Sequence, residues 1–178
     1  QPVTMLNAGP NVNSAYTESA PYPLGDTALL FSTMRQNNVV EVDKNKRDEY
    51  MARFMVARKQ ENVAQVDSFQ WPIKFNDGEF NSPKVHVGNG VYNPGGDRSY
   101  FTKCMEEDSM KIVCKIYMSK FEGAKWSSPV ELGSGINEEG SNTQPFVAKV
   151  GKKEVLFFSS NRALQSRGGY DIWYSVID

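Results

Sequence analysis

The stretch Val150-Gly-Lys-Lys-Glu-Val-Leu-Phe-Phe-Ser-Ser160 decides the fold, because two earlier stretches repeat its pattern. Leu24-Gly-Asp-Thr-Ala-Leu-Leu-Phe-Ser-Thr33 and Pro94-Gly-Gly-Asp-Arg-Ser-Tyr-Phe-Thr-Lys103 also pass from Gly and charged residues into a run that ends in an aromatic and then Ser or Thr. A tight turn followed by such a run is typical of the second strand of a β-hairpin. The sequence therefore predicts three copies of one hairpin.

Each copy continues into further predicted strands. Alternating residues follow in Ala52-Arg-Phe-Met-Val-Ala57, Cys114-Lys-Ile-Tyr-Met-Ser119 and Asp171-Ile-Trp-Tyr-Ser-Val176, and a period of two indicates a strand. The first two copies then reach a strand with Trp and Pro, in Phe69-Gln-Trp-Pro-Ile-Lys-Phe75 and Lys125-Trp-Ser-Ser-Pro-Val-Glu-Leu132. The repeating unit is thus a four-stranded motif, and the third copy lacks its last strand.

The N-terminal residues 1–13 resemble residues 128–137 in their Pro-Val pair, apolar positions and final Asn. They are therefore predicted to be the last strand of a preceding unit. Repeated four-stranded units are typical of a β-propeller, so the fold class is all-β. Residues 1–178 form one propeller region with about three blades, which occupy 14–76, 77–133 and, without its last strand, 134–178.

Residues 43–66 leave a second interpretation open. This stretch is charged, lacks Gly and Pro, and places Tyr50, Phe54 and Ala57 at helical spacing. A strand is favoured, because Arg53 and Ala57 fall in register with alternating residues of the next copy.

Composition and charge exclude several classes of function. Apolar residues make up 39% of the 178 residues, which is a globular composition. The 20 Lys and Arg against 21 Asp and Glu leave a net charge of -1, which does not favour nucleic acid as a partner. No apolar run approaches the roughly 20 residues of a membrane-spanning helix. Since the sequence begins at Gln1 without a basic and apolar leader, any targeting segment is expected to lie outside it.

The two cysteines, Cys104 and Cys114, lie at the end of one predicted strand and the start of the next. An antiparallel hairpin with this spacing brings them opposite each other, so a disulfide is predicted, which would persist in an oxidising compartment. The alternative is a pair of buried free thiols. A zinc site is not expected, because the single histidine, His86, is not near them in sequence.

No catalytic residue, metal or cofactor is predicted. His86 lies in an alternating stretch and is interpreted as an ordinary strand residue, and the glycines follow no nucleotide-binding pattern. Ser119-Lys-Phe-Glu-Gly-Ala-Lys-Trp126 is similar to the Asp-box turn of sialidases, but Phe121 stands at the Asp position. The acidic run 106–108 is interpreted as a solvated hairpin tip.

Four polar residues of the third copy stand out: Asn161, Arg162, Arg167 and Asp171. Asn161 and Arg162 follow one strand directly, and Asp171 opens the next. They are interpreted first as braces of the hairpin. The functional alternative is that they line a face of the propeller and bind a peptide or a carboxylate, for which the planar donors of Arg are suited.

Leu156-Phe-Phe-Ser-Ser-Asn-Arg162 followed by Gly168-Gly-Tyr-Asp-Ile-Trp-Tyr-Ser175 resembles the TolB-like propeller repeats of bacterial envelope proteins. The stretches 100–104 and 114–117, with Trp126 and Pro129, resemble the propeller region of OmpA-family lipoproteins of the Bacteroidetes. Some of those proteins belong to the type IX secretion (Por) machinery.

The resemblance implies a non-enzymatic module in the periplasm, associated with the outer membrane, that binds a protein or peptide of the envelope. Peptidoglycan would be bound only through a flanking domain that this sequence does not contain. Propellers of this kind close with about six blades, so a longer chain or a second half-propeller would complete the ring. The alternative function is a carbohydrate-active propeller, either a lectin-like binder or a glycoside hydrolase.

Overall fold

A computed structural model describes residues 3–35, 51–60, 69–70, 72–75, 79–82, 84–107 and 111–177, and in this part of the chain every regular element is a β-strand. The strands are β1 (Glu18–Leu24), β2 (Ala28–Thr33), β3 (Arg53–Arg58), β4 (Ile73–Lys74), β5 (His86–Tyr92), β6 (Arg98–Glu107), β7 (Lys111–Glu122), β8 (Lys125–Trp126), β9 (Val130–Glu131), β10 (Asn142–Val150), β11 (Lys153–Ser160) and β12 (Asp171–Val176). The prediction of an all-β fold is confirmed.

The strands form three antiparallel sheets in which chain neighbours pair. The first sheet has the order β1-β2-β3-β4, and the third has the order β10-β11-β12. The middle sheet has the order β5-β6-β7-β8, and β9 also pairs with β7. These names for the sheets are kept below.

The predicted hairpin strands are confirmed as β2, β6 and β11. Each of them is the second strand of its sheet and follows a turn in which a glycine has positive φ, at Gly25, Gly96 and Gly151. The third strands, β3, β7 and β12, are also where the alternating residues predicted them.

The helical alternative is wrong for residues 53–58, which form β3 and pair along their full length with β2. Phe54 and Val56 point to one side of the sheet and are buried there, so the period of two prevails over the helical spacing. The parts of this prediction that concern residues 43–50 and 61–66 lie outside the described residues.

The predicted N-terminal strand does not form in residues 3–13. Its last residues make a turn, in which the amides of Val12 and Asn13 donate to the carbonyl of Gly9 at 3.2 and 2.8 Å. Ala8 and Val12 pack on the first sheet beside Phe31. The residues before the turn pair with no strand of the described chain, and a strand needs such a partner for its main-chain groups.

The predicted strands with Trp and Pro are much shorter than expected. Between residues 125 and 132 only the pairs that form β8 and β9 are strands, and they are separated by Pro129. Proline has no amide hydrogen to donate and interrupts the ladder. In the described part of the first copy the predicted strand is reduced to β4 and to a single bridge between Phe69 and Lys59, and Trp71 lies outside the described residues.

Two hydrophobic clusters fill the spaces between the sheets. The cluster between the first and middle sheets centres on Phe54, Phe80 and Phe101, whose rings lie 4.7 to 6.4 Å apart. The cluster between the middle and third sheets contains Tyr100, Ile116, Val147, Leu156 and Phe158. Aromatic side chains thus supply much of the buried area that holds sheet to sheet.

Three buried cations, Arg35, Lys103 and Arg162, tie each sheet to the loop that precedes it. Each donates to a main-chain carbonyl oxygen in that loop. Arg35 donates to Val12 at 2.9 Å, Lys103 to Glu79 at 3.3 Å, and Arg162 to Ile136 at 2.7 Å. We call these three side chains the linking cations. Burial lowers the pKa of Arg35 and of Lys103.

The sheets are arranged in a row. β5 packs against the first sheet on one side and against β10 on the other. Among the described residues no strand of the first sheet comes within 8 Å, measured between Cα atoms, of a strand of the third. The described residues therefore form no closed ring, and they contain no helix that could cross a membrane.

Candidate functional site

The first strand of every sheet carries a bulge at the same place. The pairing register shifts between Ser19 and Tyr22 in β1, between Gly88 and Val91 in β5, and between Thr143 and Phe146 in β10. In each bulge the residue after the first named one has a positive φ: 49° at Ala20, 55° at Asn89 and 53° at Gln144. Left-handed backbone is costly for residues other than glycine, so its repetition in three copies marks a feature that the surrounding packing enforces.

The three bulges meet in one shallow pocket of about 240 Å³. Its lining is Ala20, Pro21, Tyr22, Asn89, Gly90, Val91, Gln144 and Pro145. Every sheet therefore contributes its bulge, with that of the middle sheet at the centre. We call this site the bulge pocket.

Threonine hydroxyls hold the third bulge against the middle sheet. The main-chain amide of Gln144 donates to Thr102 Oγ1 at 3.2 Å, and the hydroxyls of Thr102 and Thr143 lie 3.3 Å apart. The hydroxyl of Ser159 donates to Gln144 Oε1 at 3.1 Å. These bonds fix the backbone of Gln144 and orient its side-chain amide.

The bulge pocket combines side-chain amides with apolar surfaces. None of its lining residues is an Asp, Glu, His, Cys, Lys or Arg. General acid–base catalysis needs a titratable side chain close to the reacting atoms. The amides of Asn89 and Gln144 each offer a donor and an acceptor, beside the apolar surfaces of Pro21, Tyr22 and Pro145. Such a surface suits a peptide main chain.

Gly90, in the floor of the bulge pocket, lies against the core. A Cβ atom at this position would come within 2.7 Å of Phe54 Cζ and 3.3 Å of Leu30 Cδ2. The Phe54 ring cannot retreat easily, because it is almost fully buried among other aromatic rings. Gly90→Ala is therefore expected to lower the free energy of unfolding by about 2 kcal/mol, the range for overpacking, as measured by urea denaturation.

Gly133→Ala is the matched control for Gly90→Ala. A Cβ atom at Gly133 would meet no atom within 4 Å, so this substitution is expected to change stability by less than about 0.5 kcal/mol. Equal losses in the two variants would contradict the argument from close packing.

The predicted disulfide is confirmed. Cys104 and Cys114 are bonded, with their Cα atoms 4.0 Å apart, and they are directly paired residues of β6 and β7. The amide of Cys114 also donates to the buried hydroxyl of Ser141 at 3.1 Å. The disulfide thus lies beside a contact between the middle and third sheets.

The polar side-chain groups of Asn161 and Arg162 form hydrogen bonds to other residues of the chain. Asn161 Oδ1 accepts a hydrogen bond from the amide of Ser141 at 2.7 Å. The guanidinium group of Arg162 donates to Asn142 Oδ1 at 3.0 Å as well as to Ile136, and it lies 4.7 Å from the ring centre of Trp173. Both side chains therefore brace the third sheet, and Arg162 is buried, with 7% of its surface exposed.

Arg167 lies in the loop between β11 and β12, Asp171 is the first residue of β12, and neither lines the bulge pocket. The Asp171 carboxylate accepts hydrogen bonds from the hydroxyl of Ser166 and the amide of Arg167, both at 2.7 Å. These two bonds, the first above all, lower the pKa of Asp171. Arg167 is exposed, whereas Asp171 is half-buried.

The remaining residues considered from the sequence are His86 and the acidic run 106–108. His86 Nδ1 accepts a hydrogen bond from the amide of Ala52 at 3.1 Å, and burial lowers the pKa of His86. Glu106 and Glu107 are exposed on β6, and Asp108 lies outside the described residues. Within the described residues no group of three or more His, Cys, Asp or Glu could hold a metal ion.

Sequence reasoning missed the bulge pocket, although a repeated signal was present. Ser19-Ala-Pro-Tyr22, Gly88-Asn-Gly-Val91 and Thr143-Gln-Pro-Phe146 each place Pro or Gly in the third position and a larger apolar residue in the fourth. Proline and glycine inside a strand indicate a bulge. Aligning the starts of the three copies would have shown the pattern.

No protein-family model matches the chain, and a search of the curated proteins finds no match. The fold and the site define the class of protein. The described chain is all-β, with three repeated antiparallel sheets and an uncharged pocket where their first strands meet.

Proposed function

We propose that the chain is a non-enzymatic protein-binding module of a bacterial cell-envelope or type IX secretion assembly, linking outer-membrane components to the peptidoglycan-associated layer. The observation that carries the binding role is the bulge pocket, where three copies of one motif bring two side-chain amides and apolar surface together in one place. A peptide main chain offers the donors and acceptors that Asn89 and Gln144 require. The partner in this proposal is a loop or an extended segment of another envelope protein.

A propeller of TolB-like repeats is the architecture that we propose for the complete assembly. Two features support it: each sheet is a meander of chain neighbours, and successive sheets pack face to face along the row. In a propeller the first strand of each blade faces the axis, so the bulge pocket would lie at one end of the central channel. About six such blades would close the ring.

The disulfide supports a periplasmic location. A bond between Cys104 and Cys114 persists in an oxidising compartment and is rare in the cytosol. The proposal therefore places the module in the periplasm, associated with the outer membrane.

The bulge pocket favours protein binding over glycoside hydrolysis. Glycosidases generally use two carboxyl groups on either side of the bond that is cleaved. The pocket lining contains neither Asp nor Glu. A hydrolase would therefore need a different site.

The test begins with peptides selected from a random-sequence phage library against the intact chain. A labelled peptide from that selection is titrated by fluorescence anisotropy into the wild type and into the double variant Asn89→Gly with Gln144→Gly. Glycine removes both amides and still accepts the positive φ at these positions. We expect the double variant to bind at least about tenfold more weakly, since two hydrogen bonds are lost.

Gln70→Ala is the control, because Gln70 is exposed and lies outside the bulge pocket. It is expected to bind the peptide as the wild type does. Selected peptides whose affinity is the same in all three proteins would contradict the proposed site. Turnover of a chromogenic glycoside panel that is the same in the wild type and the double variant would favour the carbohydrate-active alternative, with its site outside the bulge pocket.

A further inference from the structure

The outer side of the third sheet is apolar and uncovered. Phe146, Ile172 and Tyr174 are 57%, 82% and 72% exposed, and their alternation along β10 and β12 puts them on one side of the sheet with Phe157. We call this side the open face.

The same positions are buried in the other two sheets. The strand registers make Phe54 of the first sheet and Ile116 of the middle sheet equivalent to Ile172, and these two side chains are 1% and 0% exposed. Tyr100, the equivalent of Phe157, is also buried. In both cases the next sheet of the row provides the cover. A further sheet of the same kind would therefore fit the open face.

An asparagine clamp accompanies each covered face. Asn137 Oδ1 accepts from the amide of Ile116 at 2.8 Å, and Asn137 Nδ2 donates to the carbonyl of the same residue at 2.7 Å. Asn81 makes the same pair of bonds to Phe54, at 2.7 and 3.0 Å. Each clamp fixes the third strand of its sheet from the outer edge. Within the described residues no asparagine clamps Ile172.

A matching asparagine that clamps no strand lies at the other end of the chain. The amides of Ile136 and Asn137 donate to the carbonyl of Gly133, as those of Val12 and Asn13 do to Gly9. The two turns are the same, and they make Asn13 the equivalent of Asn137. In the structure Asn13 Nδ2 donates to Asn7 Oδ1 at 3.0 Å rather than to a strand.

The turns also define which residues could extend the third sheet. Counting back from the glycines, Leu6 and Asn7 correspond to Val130 and Glu131, the two residues of β9. β9 pairs with β7 at the positions equivalent to Tyr174 and Trp173 of β12. Leu6 is 68% exposed, and its counterpart Val130 in the paired strand β9 is similarly exposed at 61%.

We propose that the open face binds a second copy of this chain. Leu6 and Asn7 of the second copy pair with Tyr174 and Trp173 of the first, and its Asn13 clamps Ile172. Arg35 of the second copy holds the clamp loop on its own first sheet, which covers the open face. The contact is heterologous, because the N-terminal side of one copy meets the C-terminal side of the other. The bulge pocket plays no part in it.

The mass of the intact chain in solution, followed by light scattering over a range of concentrations, tests this proposal. A single chain has a mass of 20.0 kDa, and we expect larger species to form as concentration rises. Ile172→Lys is expected to raise the dissociation constant at least about tenfold by placing a charge on the open face. Leu164→Lys is the control, because Leu164 is 71% exposed but lies in a loop outside the open face, and it should associate as the wild type does.

Pairing of two cysteine variants tests the predicted register. Leu6→Cys and Tyr174→Cys chains, each alone and then mixed, are oxidised gently and separated without reductant. We expect a disulfide-linked pair of chains to dominate only in the mixture. A chain of 20.0 kDa at every concentration, association that Ile172→Lys leaves intact, or cross-linking that is equal in the separate and mixed samples would overturn the proposal. The peptide titration is independent of these results.

Discussion

Replacing Arg162 with methionine is expected to lower the free energy of unfolding by about 3 kcal/mol. Methionine fills most of the volume of the side chain but donates no hydrogen bond. The carbonyl of Ile136, the side-chain oxygen of Asn142 and the hydroxyl of Ser160 would each lose a donor in a buried place. The contacts of the guanidinium plane with Phe158 and Trp173 would also be lost.

Arg167→Met provides the comparison for Arg162→Met, since Arg167 carries the same charge a few residues away but is exposed. Arg167→Met is expected to lower the free energy of unfolding by about 0.5 kcal/mol or less. Urea denaturation followed by circular dichroism gives both free energies of unfolding. The slope of this free energy against urea concentration shows whether the compactness of the folded or the unfolded state has changed. Similar midpoints for the two variants would show that Arg162 does not tie the third sheet to the loop before it.

Removal of the disulfide should have the second largest effect. The free energy of unfolding of the double variant Cys104→Ser with Cys114→Ser is expected to be about 2 to 3 kcal/mol lower than that of the oxidised wild type. The reason is that the bond closes a short loop in the unfolded chain. The bonded residues are directly opposite each other in β6 and β7, so the serine pair fits the same hairpin.

The reduced wild type is the internal control for the serine variant. With excess reductant present, its denaturation curve is expected to coincide with that of the double variant, whereas the reductant should leave the variant unchanged. A thiol count under denaturing, non-reducing conditions checks the starting material. Two free thiols in protein taken from its native compartment would remove the argument for an oxidising environment. Equal stability with and without the bond would contradict the expected stabilisation.

The strands that the sequence predicted correctly are those whose local pattern matches their surroundings. β2, β6 and β11 lie in the middle of their sheets and follow a tight turn, so the turn residues and the apolar run both specify them. β12 alternates strictly in burial, and residues 53–56 of β3 also alternate despite the competing helical spacing. For these elements local preference and tertiary packing agree.

The first strands and the site were harder to predict, because a bulge changes which side chains share a face. In β10 the shift between Thr143 and Phe146 breaks the alternation that identifies a strand. The bulge pocket requires three such shifts to converge, and that depends on how the sheets pack. The disulfide, by contrast, follows from one hairpin, and it was predictable from spacing alone. Arg162 was recognised as unusual, but its burial depends on the loop around Ile136.

The linking cations also impose an order on the chain. Each one donates to a carbonyl that precedes it in sequence: Val12 comes before Arg35, Glu79 before Lys103 and Ile136 before Arg162. During synthesis from the N-terminus the acceptor of every such bond is therefore made before its donor. When a sheet emerges from the ribosome, the carbonyl that its linking cation bonds to has already been synthesised. No sheet therefore depends on a linking cation from a later part of the chain.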